Sequence, residues 1–130
     1  MSLQFLNWEI DGVTVLTAMG RLTMGHATAE FRAAIEELIA AGKPNILLNL
    51  REVTYLDSRG IGELVAAHTA CRDHGGALKL LHPGKRTETL LQMMSLYALC
   101  EVVSSEEEGI RSFAPPPEIS GEAPLPQQAA

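Results

Sequence analysis

Asn49-Leu50-Arg51-Glu52-Val53-Thr54-Tyr55-Leu56-Asp57-Ser58-Arg59-Gly60-Ile61-Gly62 carries the chain out of an apolar run, Ile46 to Leu50, and into a segment of helical spacing that begins Ile61-Gly62-Glu63-Leu64-Val65. Read this way, the Ser58 hydroxyl sits at a helix N-terminus. First-turn N–H groups lack intrahelical partners and together carry about half a positive charge, so an anion attached there is stabilised. Spacing alone admits two readings. Asp57 or Ser58 can serve as a plain N-cap that accepts a first-turn amide, or Ser58 can carry a phosphate.

Working outward, Asn45 to Leu50 is a short continuous apolar run, which suits a central strand buried on both faces. The helix after Ser58 puts Ile61, Leu64, Val65, His68 and Cys71 or Arg72 near one side and stops at Gly75-Gly76. Ala77 to Leu81 reads as a further strand, and strand, helix, strand implies a right-handed parallel crossover. Gly84 to Met94 reads as a helix, Ala98 to Val102 as a last short strand, and Ser104 to Phe113 as a terminal helix. Ser104 or Ser105 can cap that helix, with Glu106 to Glu108 complementing its dipole.

Upstream, Leu3 to Ile10 and Val13 to Met19 flank Asp11-Gly12. Asp-Gly between two strand-like runs predicts a hairpin, because a type I′ turn needs positive φ at both central positions. Ala27, Phe31, Ile35, Leu38 and Ile39 recur at helical spacing, and Gly42-Lys43-Pro44 ends that helix. The expected architecture is α/β: an N-terminal β-hairpin joined to a mixed, partly parallel sheet packed by about four helices.

Length and charge bound the function. A chain of 130 residues fits a single core, and acids outnumber bases by six with no Lys/Arg stripe along the sequence. Nucleic-acid binding is not expected. The N-terminus lacks a basic and an apolar signal region, and no segment approaches the roughly 20 apolar residues needed to span a bilayer. A cytoplasmic protein without membrane insertion is expected. Cys71 and Cys100 form no spaced framework and are expected to be free, buried thiols.

Catalytic chemistry finds little purchase. His68, Cys71 and His74 have spacing that could begin a zinc site, but a fourth ligand is missing. No nucleophile-elbow motif surrounds Ser58, and Gly60 and Gly62 match neither the Lys-terminated phosphate loop nor the three-glycine dinucleotide fingerprint. Neither enzyme activity, cofactor nor metal is expected. The two glycines allow a tight turn and the close approach of a partner's backbone.

The stretch from Asn49 to Gly62 resembles the signature of the STAS family, best known from bacterial anti-sigma factor antagonists, and the resemblance runs from about Leu3 to Phe113. Met19-Gly20-Arg21-Leu22-Thr23 resembles the family's turn out of the second strand. Leu90 to Met94 and Val103 to Ile110 resemble its last two helices. Arg59 departs from the small residue frequent in the family, and Thr23 stands where many members carry Asp.

This resemblance implies a STAS-like domain over 1–113; after it the composition changes to Pro115-Pro116-Pro117, Pro124 and Pro126 with almost no large apolar side chains, which reads as a Pro-rich flexible tail over 114–130. It also implies phosphorylation of Ser58 by an anti-sigma factor serine kinase of the histidine-kinase-like ATPase fold, reversed by a phosphatase. Partner contacts are expected at Asp57, Arg59, Gly60, Ile61 and Gly62, with Leu22, Thr23 and Met24 on the neighbouring loop. Thr23 has a second reading, as the cap of the first helix. Two other roles stay open: a structural STAS subunit of a larger signalling or lipid-transport complex, and a small-molecule sensor or enzyme with a pocket near Ser58.

Overall fold

Asp11 and Gly12 take φ of 53° and 80°, the left-handed pair that a tight hairpin requires, and they join β1 (Gln4–Ile10) to β2 (Val13–Leu22) in antiparallel register. The computed structural model describes residues 3–23, 25–95 and 100–113. After the hairpin come α1 (His26–Ala40), β3 (Asn45–Leu56), α2 (Ser58–Asp73), β4 (Ala77–Leu81), α3 (Lys85–Met93), β5 (Val102–Val103) and α4 (Glu106–Ser112). Strand order follows chain order, β1-β2-β3-β4-β5, and every pair from β2 onward is parallel. The architecture is therefore the expected α/β one.

Alternation along the strands sorts the core into two layers. Leu16, Ala18, Ile46, Leu48, Leu50, Leu78 and Leu80 share one cluster with Phe31 and Ile35 of α1, Ile61 and Leu64 of α2, and Leu91 of α3. Val13, Val15, Leu47, Leu81 and Val103 face the other way, where Ile110 of α4 and Phe113 pack on them. Leu47 is thus buried on the face opposite its two neighbours, which is why this stretch of β3 reads as unbroken apolar sequence. Towards β1 the second face is more open, and Leu6 and Trp8 stay 57% and 41% exposed.

The bounds of β3 and of the last strand differ from expectation. β3 continues past Leu50 to Leu56, because Met19 to Leu22 of β2 keep pairing with it through two register shifts. The last strand is Val102–Val103, and the expected start at Ala98 lies outside the described residues. The C-terminal tail at 114–130 lies outside them too.

Candidate functional site: the junction of β3 and α2

The long β3 delivers Asp57 in extended conformation at the carboxyl end of the sheet. Its Oδ1 accepts the Gly60 amide at 2.9 Å, so Asp57 is the N-cap of α2. Ser58 is the first helical residue, exposed, and its side chain makes no hydrogen bond among the described residues. No acidic residue stands in the first turn of α2. An added anion at Ser58 would meet the positive end of the α2 dipole, beside the Asp57 carboxylate that already caps it.

Gly60 is buried, and its role differs from the expected one. A Cβ at this position would run into the Leu22 carbonyl oxygen and come within 3.1 Å of Leu22 Cγ and Leu56 Cγ. The backbone that approaches closely is the chain's own: the first turn of α2 seats on the end of β2. Gly62, by contrast, is exposed with nothing near a would-be Cβ.

Leu22 and Ile61 need correction as contact residues, since both are 0% exposed. Leu22 falls on the helix-facing side of β2, and Ile61 begins the buried stripe that continues through Leu64, Ala67 and Cys71. They form the floor beneath the site. Thr23 is half-buried and does not cap α1, whose N-cap is Gly25 with φ 107° and no side-chain cap bond. Met24 lies outside the described residues. What reaches solvent is Ser58, Arg59 and Gly62, with Asp57 and Thr23 half-buried beside them.

Tyr55 escaped sequence reasoning. Its ring, one residue before the end of β3, lies under two guanidinium groups, with Arg21 Cζ 5.4 Å and Arg86 Cζ 5.0 Å from the centroid. Arg86 also donates to the Tyr55 hydroxyl at 3.3 Å. A tyrosine at a strand end gives no signal that distant cations will converge on it. Farther along the same edge, Arg51 Nη2 lies 2.8 Å from His82 Nε2.

The His68, Cys71 and His74 side chains do not converge. His68 Nδ1 lies 3.3 Å from the Leu78 carbonyl and His74 Nδ1 2.9 Å from that of Ala70, while Cys71 is in the core. Burial pushes the Cys71 and Cys100 thiols up to about 11. Clefts among the described residues lie elsewhere. One of about 150 Å³ lies between α1 and α2 beside the Arg32–Glu63 pair, and a wider one of about 560 Å³ lies between His82–Glu88 and Val102–Ser104. Ser58 lines neither.

Comparison with known proteins agrees with this fold. An anti-sigma factor antagonist from Mycobacterium paratuberculosis is similar at 22% identity and a TM-score of 0.74, over 85% of this chain and 93% of that one. SpoIIAA, the Bacillus cell fate determinant, is similar in its phosphorylated form at 24% identity and a TM-score of 0.66, over 85% of this chain and 100% of that one. The murine Solute Carrier 26 family member A9 anion transporter contains a similar fold at 15% identity and a TM-score of 0.64, over 82% of this chain but 18% of the transporter. These likenesses concern the fold. Among the described residues, no helix of this protein is long and apolar enough to cross a membrane. The sequence matches the STAS domain family over residues 7–109, so with its strand order, its mixed sheet and the serine at the head of α2, the chain belongs to that family.

Proposed function

We propose that the protein is a bacterial, cytoplasmic anti-sigma factor antagonist: a binding protein, not an enzyme, that works by partner switching. Unmodified, it sequesters an anti-sigma factor kinase of the histidine-kinase-like ATPase fold and so frees a sigma factor. The kinase ends the complex by transferring the γ-phosphoryl of ATP to Ser58. A P–O bond forms at Ser58 Oγ as the bond to ADP breaks, and the hydroxyl proton passes to a base of the kinase. A phosphatase restores the hydroxyl by hydrolysis.

The observation that carries this reading is the unengaged, exposed Ser58 hydroxyl on a helix already capped by Asp57. A residue with no task in the fold is free to be modified. Phosphorylation adds about −1.5 to −2 charges and three acceptor oxygens, and the N-terminus of α2 lowers the cost of holding them. Docking therefore changes far more than stability. Arg59, Gly62, Asp57 and Thr23 supply the surrounding contact surface in this reading.

The test incubates the full-length protein with purified serine kinases from its own genome, comparing wild type, Ser58→Ala and Ser58→Asp. The reading expects Ser58→Ala to bind one kinase without labelling and Ser58→Asp to bind it more weakly. Labelling that persists in Ser58→Ala moves the switch to another residue. Binding by a constitutive non-kinase partner, unchanged by either substitution, favours a structural STAS subunit instead.

A further inference from the structure

Ten Lys and Arg side chains are scattered through the sequence, but the fold sorts them into two populations. Of the five away from the switch, Arg32, Lys43, Lys79 and Arg111 are each paired with a carboxylate. The other five are Arg21, Arg51, Arg59, Lys85 and Arg86. All five are exposed, and none is in an ion pair among the described residues.

These five follow the carboxyl-terminal parts of the parallel strands, with Leu22 of β2 level with Leu56 of β3 and the end of β4, Leu81, level with Asn49. Arg21 is one residue from the end of β2, Arg59 is the second residue of α2, and Lys85 and Arg86 open α3. Arg51 lies just beyond the last β3–β4 pair, Asn49 with Leu81, and reaches His82. Tyr55 draws Arg21 and Arg86 together from separate elements. Within the short segments around these five cations the carboxylates are Glu52, Asp57 and Glu88, in a chain that is net acidic by six. The acidic first turn of α4, Glu106 to Glu108, follows the carboxyl end of β5, where Ser104 bonds Glu108 and shares a cleft with Lys85, so this group bounds the edge on its β5 side.

Ion pairing that is nearly complete elsewhere and missing here leaves a set of cations without protein counter-charges. We infer that this rim, Arg59 beside Ser58, Arg21 and Arg86 over Tyr55, and Lys85 and Arg51 farther along, docks an acidic surface of the partner kinase, and that phosphorylation of Ser58 releases the kinase by offsetting the rim's charge. The inference rests on the switching role given to Ser58 above. A dianion beside Arg59 offsets the attraction and also faces the partner's carboxylates, so a single modification acts twice. Complementary charge of this kind speeds encounter and rejects wrong partners more than it adds raw affinity. Arg59 is then a specificity residue, where the family more often has a small one.

The experiment measures Kd and association rate for the full-length protein with the purified kinases of its genome, from low to high salt. Variants are Arg59→Glu, the pair Arg21→Glu with Arg86→Glu, Ser58→Asp, and the control Arg111→Glu on α4. Circular dichroism checks that each is folded. The expected results are a binding constant that weakens steeply with salt, a loss of at least ~10-fold at low salt for either rim variant, and a flattened salt slope for these and Ser58→Asp. Arg111→Glu should change binding by less than ~2-fold.

Salt-independent binding, or equal losses in rim and control variants, overturns the inference while leaving the Ser58 switch standing. Duplex DNA or phosphatidylserine vesicles held by the rim more tightly than any kinase also overturn it, by giving the rim a different occupant. Absence of any kinase that binds the wild type removes both this inference and the switching role.

Discussion

The Gly60 amide donates to Asp57 Oδ1 across 2.9 Å, and this bond frees Ser58 from structural duty. Two residues suited to capping stand side by side, and only one caps. Asp57→Ala should therefore cost about 1 kcal/mol of unfolding free energy, whereas Ser58→Ala should stay within about 0.5 kcal/mol of wild type. Urea titrations followed by circular dichroism separate the two. Equal destabilisation would return Ser58 to a capping role.

Gly60 and Gly62 are two residues apart and should respond with opposite sign. Gly60→Ala drives a methyl into the Leu22 carbonyl and the Leu22 and Leu56 side chains, so a loss of about 1–3 kcal/mol is expected. Gly62→Ala adds a methyl to open solvent in a helix, and should gain about 0.5–1 kcal/mol. Thermal melts of both variants check the pair.

Thr14 is 2% exposed, and its Oγ1 has no hydrogen-bond partner among the described residues. A buried hydroxyl left unpaired costs about 1–3 kcal/mol. Thr14→Val keeps the shape and β-branching while removing that oxygen, so a stability gain of about 1 kcal/mol is expected. An unchanged or lowered urea midpoint would mean that the hydroxyl has a partner in solution.

Cys71 and Cys100 are 0% exposed, and desolvation raises both thiols from 9.0 to about 11. The thiolate is the reactive form, so a disulfide reagent at mildly alkaline pH should modify neither thiol until the protein unfolds. Linkage gives the sign of the pH effect. Below pH 9 both folded and unfolded states keep their thiol protons, and stability is unaffected. Between about 9 and 11 the unfolded chain loses those protons first, so this contribution falls as pH rises through the window. Denaturation curves at stepped pH, with Cys71→Ala and Cys100→Ala as references, measure it.

Much of this was legible in the chain wherever a local rule acts alone. Asp11-Gly12 specified its hairpin through backbone sterics, and Ala77 to Leu81 appeared with its observed bounds between Gly76 and the turn at His82. Beyond Leu50, β3 was not legible, since two register shifts against β2 break the alternation that marks a strand. Leu22 and Ile61 were misplaced for a related reason. Hydrophobic spacing says which side of an element is apolar, but not whether that side meets core or partner at a junction. The cationic edge had no linear signature at all, because Arg21 and Arg86 meet only over the Tyr55 ring, which belongs to a third element.

The protein's single tryptophan sits on the edge strand, where Trp8 pairs with Val15. From Val15 to Leu22, where α2 seats, is seven residues of β2, or about 23 Å of strand. Trp8 emission should consequently change little on events at Ser58, even in a tight complex with the kinase. A dye attached near Gly62 would watch the switch. Trp8 would remain free to report whatever comes to rest on the uncovered half of the sheet.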